Sequence, residues 1–376
     1  MTYHLSGRAV LKWLETPAIY HIDNDELYEL DADSFRFMKG CMTGEGCRSK
    51  DGAFIDYCMD EDLLTKKKIV SRRPALRQAP VPSLRYLELQ ITDSCNLRCK
   101  HCYSGEGAGN ELSPEQIRGI LAEFEEMQGL RLLLSGGEPL LHSRFSEINE
   151  MLPDFFLRKV LFTNGVLLRK ELLKSLKTDE IQVSIDGLEA AHDVVRGTGM
   201  FTRTLQAIRL ALDAGFDVSV STMVHRANLK DFDAMEKLFR DLGIKDWTVD
   251  VPCAVGRLKQ HTELVVSPEE GGKYLGYGFG GGLHSSGQGF GCGLHLMAVM
   301  ADGKAAKCTF YGDRAIGTID QGLRPAWQKM KPVLLKDLAC DCDYIEVCRG
   351  GCRYRAELMS GEGGKDPYRC TLYGIL

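Results

Sequence analysis

Leu87-Glu88-Leu89-Gln90-Ile91-Thr92-Asp93-Ser94-Cys95-Asn96-Leu97-Arg98-Cys99-Lys100-His101-Cys102-Tyr103 runs from an apolar strand straight into a loop that carries three cysteines. Three soft thiolates at this spacing can converge on one metal centre. If the centre is a cubane of four irons, one iron has no protein ligand and is open to a small molecule. Chance is a poor account of the triplet. With 14 cysteines in 376 residues, two more at fixed offsets arise in only a few per cent of such chains.

Outward from this stretch, strand and helix patterns alternate. Residues 130–134, 159–162, 181–185, 218–222 and 247–251 read as five further strands, with amphipathic stretches such as 201–214 and 229–241 between them. The helix after the first strand opens on Ser113 as N-cap, Pro114 at N1 and Gln116 at N3, a capping-box start. Such alternation demands a parallel sheet with helical crossovers, and six units are too few for an eightfold barrel. The expected fold class is α/β: a partial (β/α)6 TIM barrel over 85–255. In parallel barrels functional groups gather at the C-terminal ends of strands. Cys95 follows the first strand, Ser135-Gly136-Gly137-Glu138 the second, Thr163-Asn164-Gly165 the third, and Ser184 with Asp186 the fourth. One mouth can collect them all.

The formal net charge is only -5, and the mixed charges give no sign of a nucleic-acid surface, so no nucleic-acid partner is expected. No apolar stretch reaches the length of a membrane span, and Met1-Thr2-Tyr3-His4-Leu5 lacks the layout of a signal peptide, so no membrane partner and a cytoplasmic location are expected. In a reducing compartment 14 cysteines point to metal ligation in preference to disulfides. Ten of them fall in two groups, three at 95–102 and seven at 292–370.

The run Cys95-x3-Cys99-x2-Cys102, with His101 before the last cysteine and Tyr103 after it, resembles the signature of the radical S-adenosylmethionine (radical SAM) superfamily. Ser135-Gly136-Gly137-Glu138-Pro139 looks like that family's "GGEP" element. The resemblance implies that Cys95, Cys99 and Cys102 hold a [4Fe-4S] cluster whose open iron chelates SAM. It also implies that Tyr103 and Glu138 belong to the cofactor site and that Gly136 and Gly137 bring backbone close to the methionine ammonium. Asn164, Ser184 and Asp186 would bond ribose hydroxyls, and Arg196 would meet the methionine carboxylate. The implied chemistry is one-electron reduction of the sulfonium, formation of a 5′-deoxyadenosyl radical and hydrogen abstraction from a substrate. An electron donor such as flavodoxin or ferredoxin would be a partner.

The second group reads Cys292, ten residues, Gly303, four residues, Cys308; Cys340-Asp341-Cys342, five residues, Cys348, three residues, Cys352; then Cys370. Seven thiols exceed one structural zinc site, but spacing alone leaves zinc and iron-sulfur both open. The array resembles the SPASM (twitch-type) extension of radical SAM enzymes, with one residue fewer between Cys340 and Cys342 than usual. It implies two auxiliary [4Fe-4S] clusters, three clusters in all. Cys340, Cys342, Cys348 and Cys370 would hold one, and Cys292, Cys308 and Cys352 the other, which is one ligand short. Sulfatase-maturing relatives carry a further Cys about six residues before the first. Here that stretch is Ser285, Ser286 and Gly287-Gln288-Gly289-Phe290-Gly291. An open iron, a substrate ligand, or Cys253 swinging in are the alternatives.

Residues 1–64 read as a winged-helix-like α+β module, with a hairpin over 18–22 and 27–30 and helical residues from Ser34 to Met38. They resemble the PqqD-like domain, which binds leader peptides of ribosomal precursors by strand addition. Cys41, Cys47 and Cys58 match no ligand pattern and read as buried or unpaired thiols. A basic, Pro-containing linker spans 65–84, a Gly-rich bridging segment 256–291, and the SPASM domain 292–376. Within the bridge, 271–293 carries 11 glycines in 23 residues, interleaved with Tyr274, Tyr277, Phe279 and Phe290. That composition excludes helix and suggests either a plain connector or a mobile loop over the barrel mouth.

Taken together, the chain resembles radical SAM maturases of ribosomally synthesised peptides, of the sactipeptide or ranthipeptide synthase kind. The implied substrate is a precursor peptide and the implied product a thioether or carbon-carbon crosslink, with epimerisation sharing the same first step. A tetrapyrrole-modifying enzyme of the haem pathway and a non-catalytic iron-sulfur or zinc-binding interaction protein are the alternatives. No catalytic acid or base is identified, and Asp250, Cys253 and the tyrosines of the glycine-rich stretch stay unranked.

Overall fold

The structure, a computed structural model, describes residues 1–69, 72–283 and 287–376. Val70 and Ser71 of the expected linker, and Ser285 and Ser286 of the stretch before Cys292, lie outside the described residues.

The six expected strands are present within a residue or two of the sequence reading: β6 (Tyr86–Gln90), β7 (Arg131–Ser135), β8 (Arg158–Thr163), β9 (Glu180–Ser184), β10 (Asp217–Met223) and β11 (Asp246–Asp250). Each pairs in parallel with the next, and helical crossovers such as Pro114–Glu126, Met200–Asp213 and Phe232–Leu242 pack outside. Ser113 caps the first crossover with the full capping box: its side chain accepts from the Gln116 amide, and Gln116 reaches back. Leu87 and Leu89 face the helices in the main core, while Glu88 and Gln90 alternate to the barrel interior. The sheet also runs further than six strands. β12 (Leu296–Val299) adds in parallel beside β6, followed by antiparallel β13 (Lys304–Ala306) and β14 (Gly317–Thr318). The C-terminal cysteine domain therefore grows out of the barrel sheet itself.

The N-terminal hairpin is β3 (Pro17–His21) with β4 (Glu26–Glu29), joined by β2 (Ala9–Trp13), which the sequence reading missed. The pair β1 (His4–Leu5) and β5 (Leu64–Thr65) closes the module. Helices Ala32–Cys41 and Gly52–Asp60 are N-capped by Asp31 and Asp51. Cys41 and Cys58 are buried in their core, where burial pushes the thiols up to about 12 and about 11. The module sits on the N-terminal end of the barrel. Buried Lys12 donates to Gly129 O at 2.6 Å, Arg158 donates to Ile22 O and Asp23 O, and Val10 and Tyr20 pack on Leu130. Among its described residues the linker holds no regular element between Lys66 and Arg85, and Arg73 pins it to the Ser6 and Ala9 carbonyls.

A helical turn, Pro268–Gly271, leads into the glycine-rich segment, and a 3-10 turn, Gly272–Gly276, lies within it where no helix was expected. Of the two readings, connector or loop over the mouth, the described residues follow the first. Tyr274 and Tyr277 pack on Phe232, Phe279 packs on Trp247, and Phe279 bridges Trp247 in an antiparallel exchange of backbone hydrogen bonds. Further on, Asp246 accepts from the Gly281 amide at 2.6 Å, and Arg131 donates to Gly282 O at 2.9 Å. Asp246 and Arg131 begin β11 and β7, so the segment crosses the floor. Its physical task is to cover the β11 edge, whose backbone groups would otherwise be unpaired. Glycine is required at 280, where φ is +114° and a Cβ would strike Asp246.

Candidate active site

A cavity of about 550 Å³ opens at the C-terminal ends of the barrel strands. Cys95, Cys99, Cys102, Tyr103, Gly136, Gly137, Asn164, Ser184, Asp186 and Arg196 all line it. Glu138 does not; it lies fully buried beneath.

The cysteine loop is held from below by the second strand. The Gly137 amide donates to Thr92 O and the Glu138 amide to Ser94 O, both at 2.8 Å. A Cβ on Gly136 would come within 2.5 Å of Thr92 O, and one on Gly137 within 2.5 Å of Ser94 O. The two glycines thus permit the strand end to press against the cysteine loop. Glu138 accepts from Thr163 Oγ1 at 2.9 Å and from the Asn164 amide at 2.9 Å, which ties the second strand end to the third. Burial pushes its carboxyl up to about 7 despite these bonds. Through these bonds Glu138 joins the second and third strand ends just below the cavity lining.

Asp186 is bonded through both oxygens. Its Oδ2 lies 2.6 Å from Arg196 Nε and 3.3 Å from His101 Nε2, and its Oδ1 accepts from the Met223 amide at 2.8 Å. Burial alone would raise its pKa, but Arg196 and His101 outweigh that and hold it well below the carboxylate range. Its oxygens orient Arg196 and His101 at the cavity wall. Arg196 Nη1 reaches within 3.9 Å of Cys99 Sγ, so the guanidinium bridges Asp186 and the cysteine loop. Asn164 is fixed by donation to Asn96 Oδ1 at 2.8 Å.

Three observations bear on whether these residues fit a cluster and a bound cofactor. Burial raises the Cys99 thiol, and a cationic centre would favour its thiolate form. The Leu97 amide already donates to Cys95 Sγ at 3.5 Å. His101 Nδ1 is buried at the cavity with no hydrogen-bond partner. The donor set and the incomplete polar lining fit a thiolate-bound cluster with a polar ligand above it.

One functional candidate was missed. Glu88, on β6, lines the cavity, accepting from Ser135 Oγ at 3.2 Å and Thr309 Oγ1 at 3.4 Å. Burial pushes its carboxyl up to about 7. The signal was the polar alternation in Leu87-Glu88-Leu89-Gln90, which aims a carboxylate inward. Of the unranked groups, Asp250 is held by Arg355 at 2.8 Å, and Tyr274 and Tyr277 pack on Phe232 at the start of helix Phe232–Leu242, outside the cavity lining. Cys253 lines the cavity.

The C-terminal cysteines separate into two neighbourhoods. Cys340, Cys342, Cys348 and Cys370 line one small cavity, closed by Tyr344 and Tyr373. Cys292, Cys308 and Cys352 lie within electrostatic reach of one another. Among the described residues no three His, Cys, Asp or Glu side chains converge closely enough to hold a single metal ion. A zinc site needs four ligands about 2.0–2.3 Å from one centre, whereas a cubane gives each thiolate its own iron and spreads them further apart.

Comparison with known proteins follows the same lines. Residues 89–239 match the family model described as the radical SAM superfamily. The chain is 28% identical to the AdoMet-dependent heme synthase of Methanosarcina barkeri over 77% of this chain and 95% of that protein. It is 28% identical to the mycofactocin maturase MftC of Mycolicibacterium smegmatis over 71% of this chain and 77% of that one. Two further heme synthases match at 30% identity over 50% of this chain, and the match covers only about half of their length, 54% and 51%. Streptococcus suis SuiB, solved with S-adenosylmethionine and with its precursor peptide SuiA, superposes at a TM-score of 0.68 over 96% of this chain and 98% of that one, at 14% and 12% identity. Among the described residues no helix is long and apolar enough to cross a membrane.

Proposed function

Because the chain belongs, through residues 89–239, to the radical SAM superfamily of enzymes, we propose that it cleaves SAM reductively and uses the resulting radical to modify a ribosomally synthesised precursor peptide, forming a thioether or carbon-carbon crosslink. The observation that carries the peptide reading is the N-terminal sheet. Its order is β2-β3-β4, and among the described residues β4 is paired on one side only. An extended peptide can add there through main-chain hydrogen bonds. MftC is a maturase, and SuiB has been solved with a precursor peptide on a chain of the same extent and fold.

The bound cluster supplies an electron to the SAM sulfonium, and SAM supplies the carbon radical that takes hydrogen from the substrate. The residues of this chain hold and orient. Cys95, Cys99 and Cys102 fix the cluster, Arg196 presents its terminal nitrogens to the methionine carboxylate while Asp186 grips its Nε, and Asn164 and Ser184 offer polar groups to the ribose. Glu88 is the titratable group in the wall placed to accept a proton from the substrate. Two auxiliary clusters in the C-terminal domain, and a flavodoxin or ferredoxin as electron donor, complete the reading.

The test is anaerobic incubation of the reconstituted protein with SAM, reductant and a candidate precursor encoded beside the gene. Loss of two hydrogens from the peptide supports crosslinking; unchanged mass with solvent deuterium gain means epimerisation. Absence of 5′-deoxyadenosine sinks the reading altogether. The M. barkeri heme synthase match, over 95% of that protein, keeps tetrapyrrole modification as the second reading. Turnover of an iron tetrapyrrole, with no turnover of peptide, would select it.

A further inference from the structure

The set Cys292, Cys308 and Cys352 lacks a fourth thiol in sequence, and none stands among Gly287-Gln288-Gly289-Phe290-Gly291. Cys253, 39 positions before Cys292, lies three residues past the end of β11. Its side chain is 2% exposed, in an apolar cluster with Ala306, Tyr311 and Tyr354 that also receives Cys308 and Cys352. The Cys253 and Cys352 thiols are hydrogen-bonded to each other. A buried structural cysteine is surrounded by carbon and behaves as a small hydrophobe; this one points at another thiol.

The placement is enforced by a buried ion chain. Arg355, 2% exposed at its side chain, donates from Nη1 to Asp250 Oδ1 at 2.8 Å and to Val251 O at 2.7 Å, and from Nη2 to Asp366 Oδ2 at 2.8 Å. Asp366 in turn accepts from the Cys352 amide at 2.9 Å. One guanidinium therefore locks the segment leading to Cys253 against the turn that carries Cys352. The other thiols are furnished with backbone donors: Arg353 N–H to Cys292, Phe310 N–H to Cys308 and Arg355 N–H to Cys352. Such donors stabilise cluster thiolates and tune their potential. Lys307 and Arg355 supply positive charge beside them.

We infer that Cys253 is the fourth ligand of the cluster held by Cys292, Cys308 and Cys352, so that this auxiliary site is closed where the Cys95–Cys99–Cys102 site is open. The inference rests on the iron-sulfur reading of the C-terminal array. On ligation the Cys253 thiol releases its proton to solvent. Because Cys253 and Phe310 also line the main cavity, the cluster stands in the wall of the substrate chamber without offering it a vacant iron.

The test uses the full chain with Cys95, Cys99 and Cys102 replaced by Ala, which removes the one cluster with an open iron. After anaerobic reconstitution about eight irons per chain are expected, and imidazole should leave the electron paramagnetic resonance spectrum of the reduced protein unchanged. Adding Cys253→Ala should make one of the two cluster signals imidazole-sensitive. Cys253→Ser, which keeps an oxygen ligand and the side-chain volume, should shift that signal without opening it. The inference is overturned if the parent already responds to imidazole, or if Cys253→Ala changes neither signal nor iron content. An iron-free parent overturns the inference together with the iron-sulfur reading. Failure of the unsubstituted protein to cleave SAM overturns the proposed function while leaving the cluster result standing.

Discussion

The two ends of the cysteine chemistry are built in opposite ways. The first set, Cys95, Cys99 and Cys102, is contained in one loop after one strand, supported by the neighbouring strand end through Gly136 and Gly137. The second draws Cys292, Cys308 and Cys352 from three turns of the C-terminal domain and is approached by Cys253 from the barrel, whose segment the Asp250–Arg355–Asp366 chain ties to the turn of Cys352. A local set survives as long as its loop does. A dispersed set depends on the docking of one domain on another, so its integrity is a tertiary property.

Substitutions should separate the two. Cys99→Ala is expected to reduce 5′-deoxyadenosine formation to background and to remove about four of twelve irons, leaving the C-terminal clusters in place by iron and sulfide analysis. Equal loss of all iron would break the comparison. Arg355→Ala removes the centre of a buried ion chain, at a cost of about 3–5 kcal/mol, readable as a lowered denaturation midpoint. It should deplete the dispersed cluster while the loop cluster still binds SAM. Glu88→Gln should leave SAM cleavage within about twofold but lower product formation about 100-fold, the range of a lost general base. Its pH profile should lose the limb near 7, since the wild-type carboxyl is ionised only above about 7.

Gly137→Ala forces a methyl against Ser94 O. About tenfold weaker SAM binding is expected, equivalent to about 1.4 kcal/mol, with no change in the C-terminal irons. The smallest effect concerns pH. Glu88 and Glu138 both have folded pKa values raised to about 7 from 4.5. The stability they contribute is complete below about 4.5 and is lost as pH rises through 7. The melting temperature of the cluster-free protein should therefore fall modestly between pH 5 and 8, and less so in Glu88→Gln.

Much of this was legible in the sequence where the signal is local. The strand at Leu87–Ile91, the capping box at Ser113 and the cysteine triplet each depend on residues within a few positions of one another, and the structure places them as read. The failures are long-range. The spacing of Cys308 and Cys352 did not reveal that β12 and β13 extend the barrel sheet beside β6. Glycine content left 271–293 as either a connector or a loop over the mouth and carried no sign of its aromatic docking on Phe232 and Trp247. The pairing of Asp186 with His101, from the cysteine loop 85 positions earlier, had no sequence signal.

What the sequence alone determined is the kind of chemistry. Thiol spacing fixes what a loop can ligate, and period-two and helical alternation fix a parallel β/α sheet, both within one stretch of chain. What only the tertiary structure decided is which distant groups share a space: Glu88 in the cavity wall, Arg355 joining strand to cluster domain, and Cys253 beside Cys352. Those encounters are set by packing and by the pairing of buried charges between elements far apart in sequence, for which no short pattern of residues carries a signature.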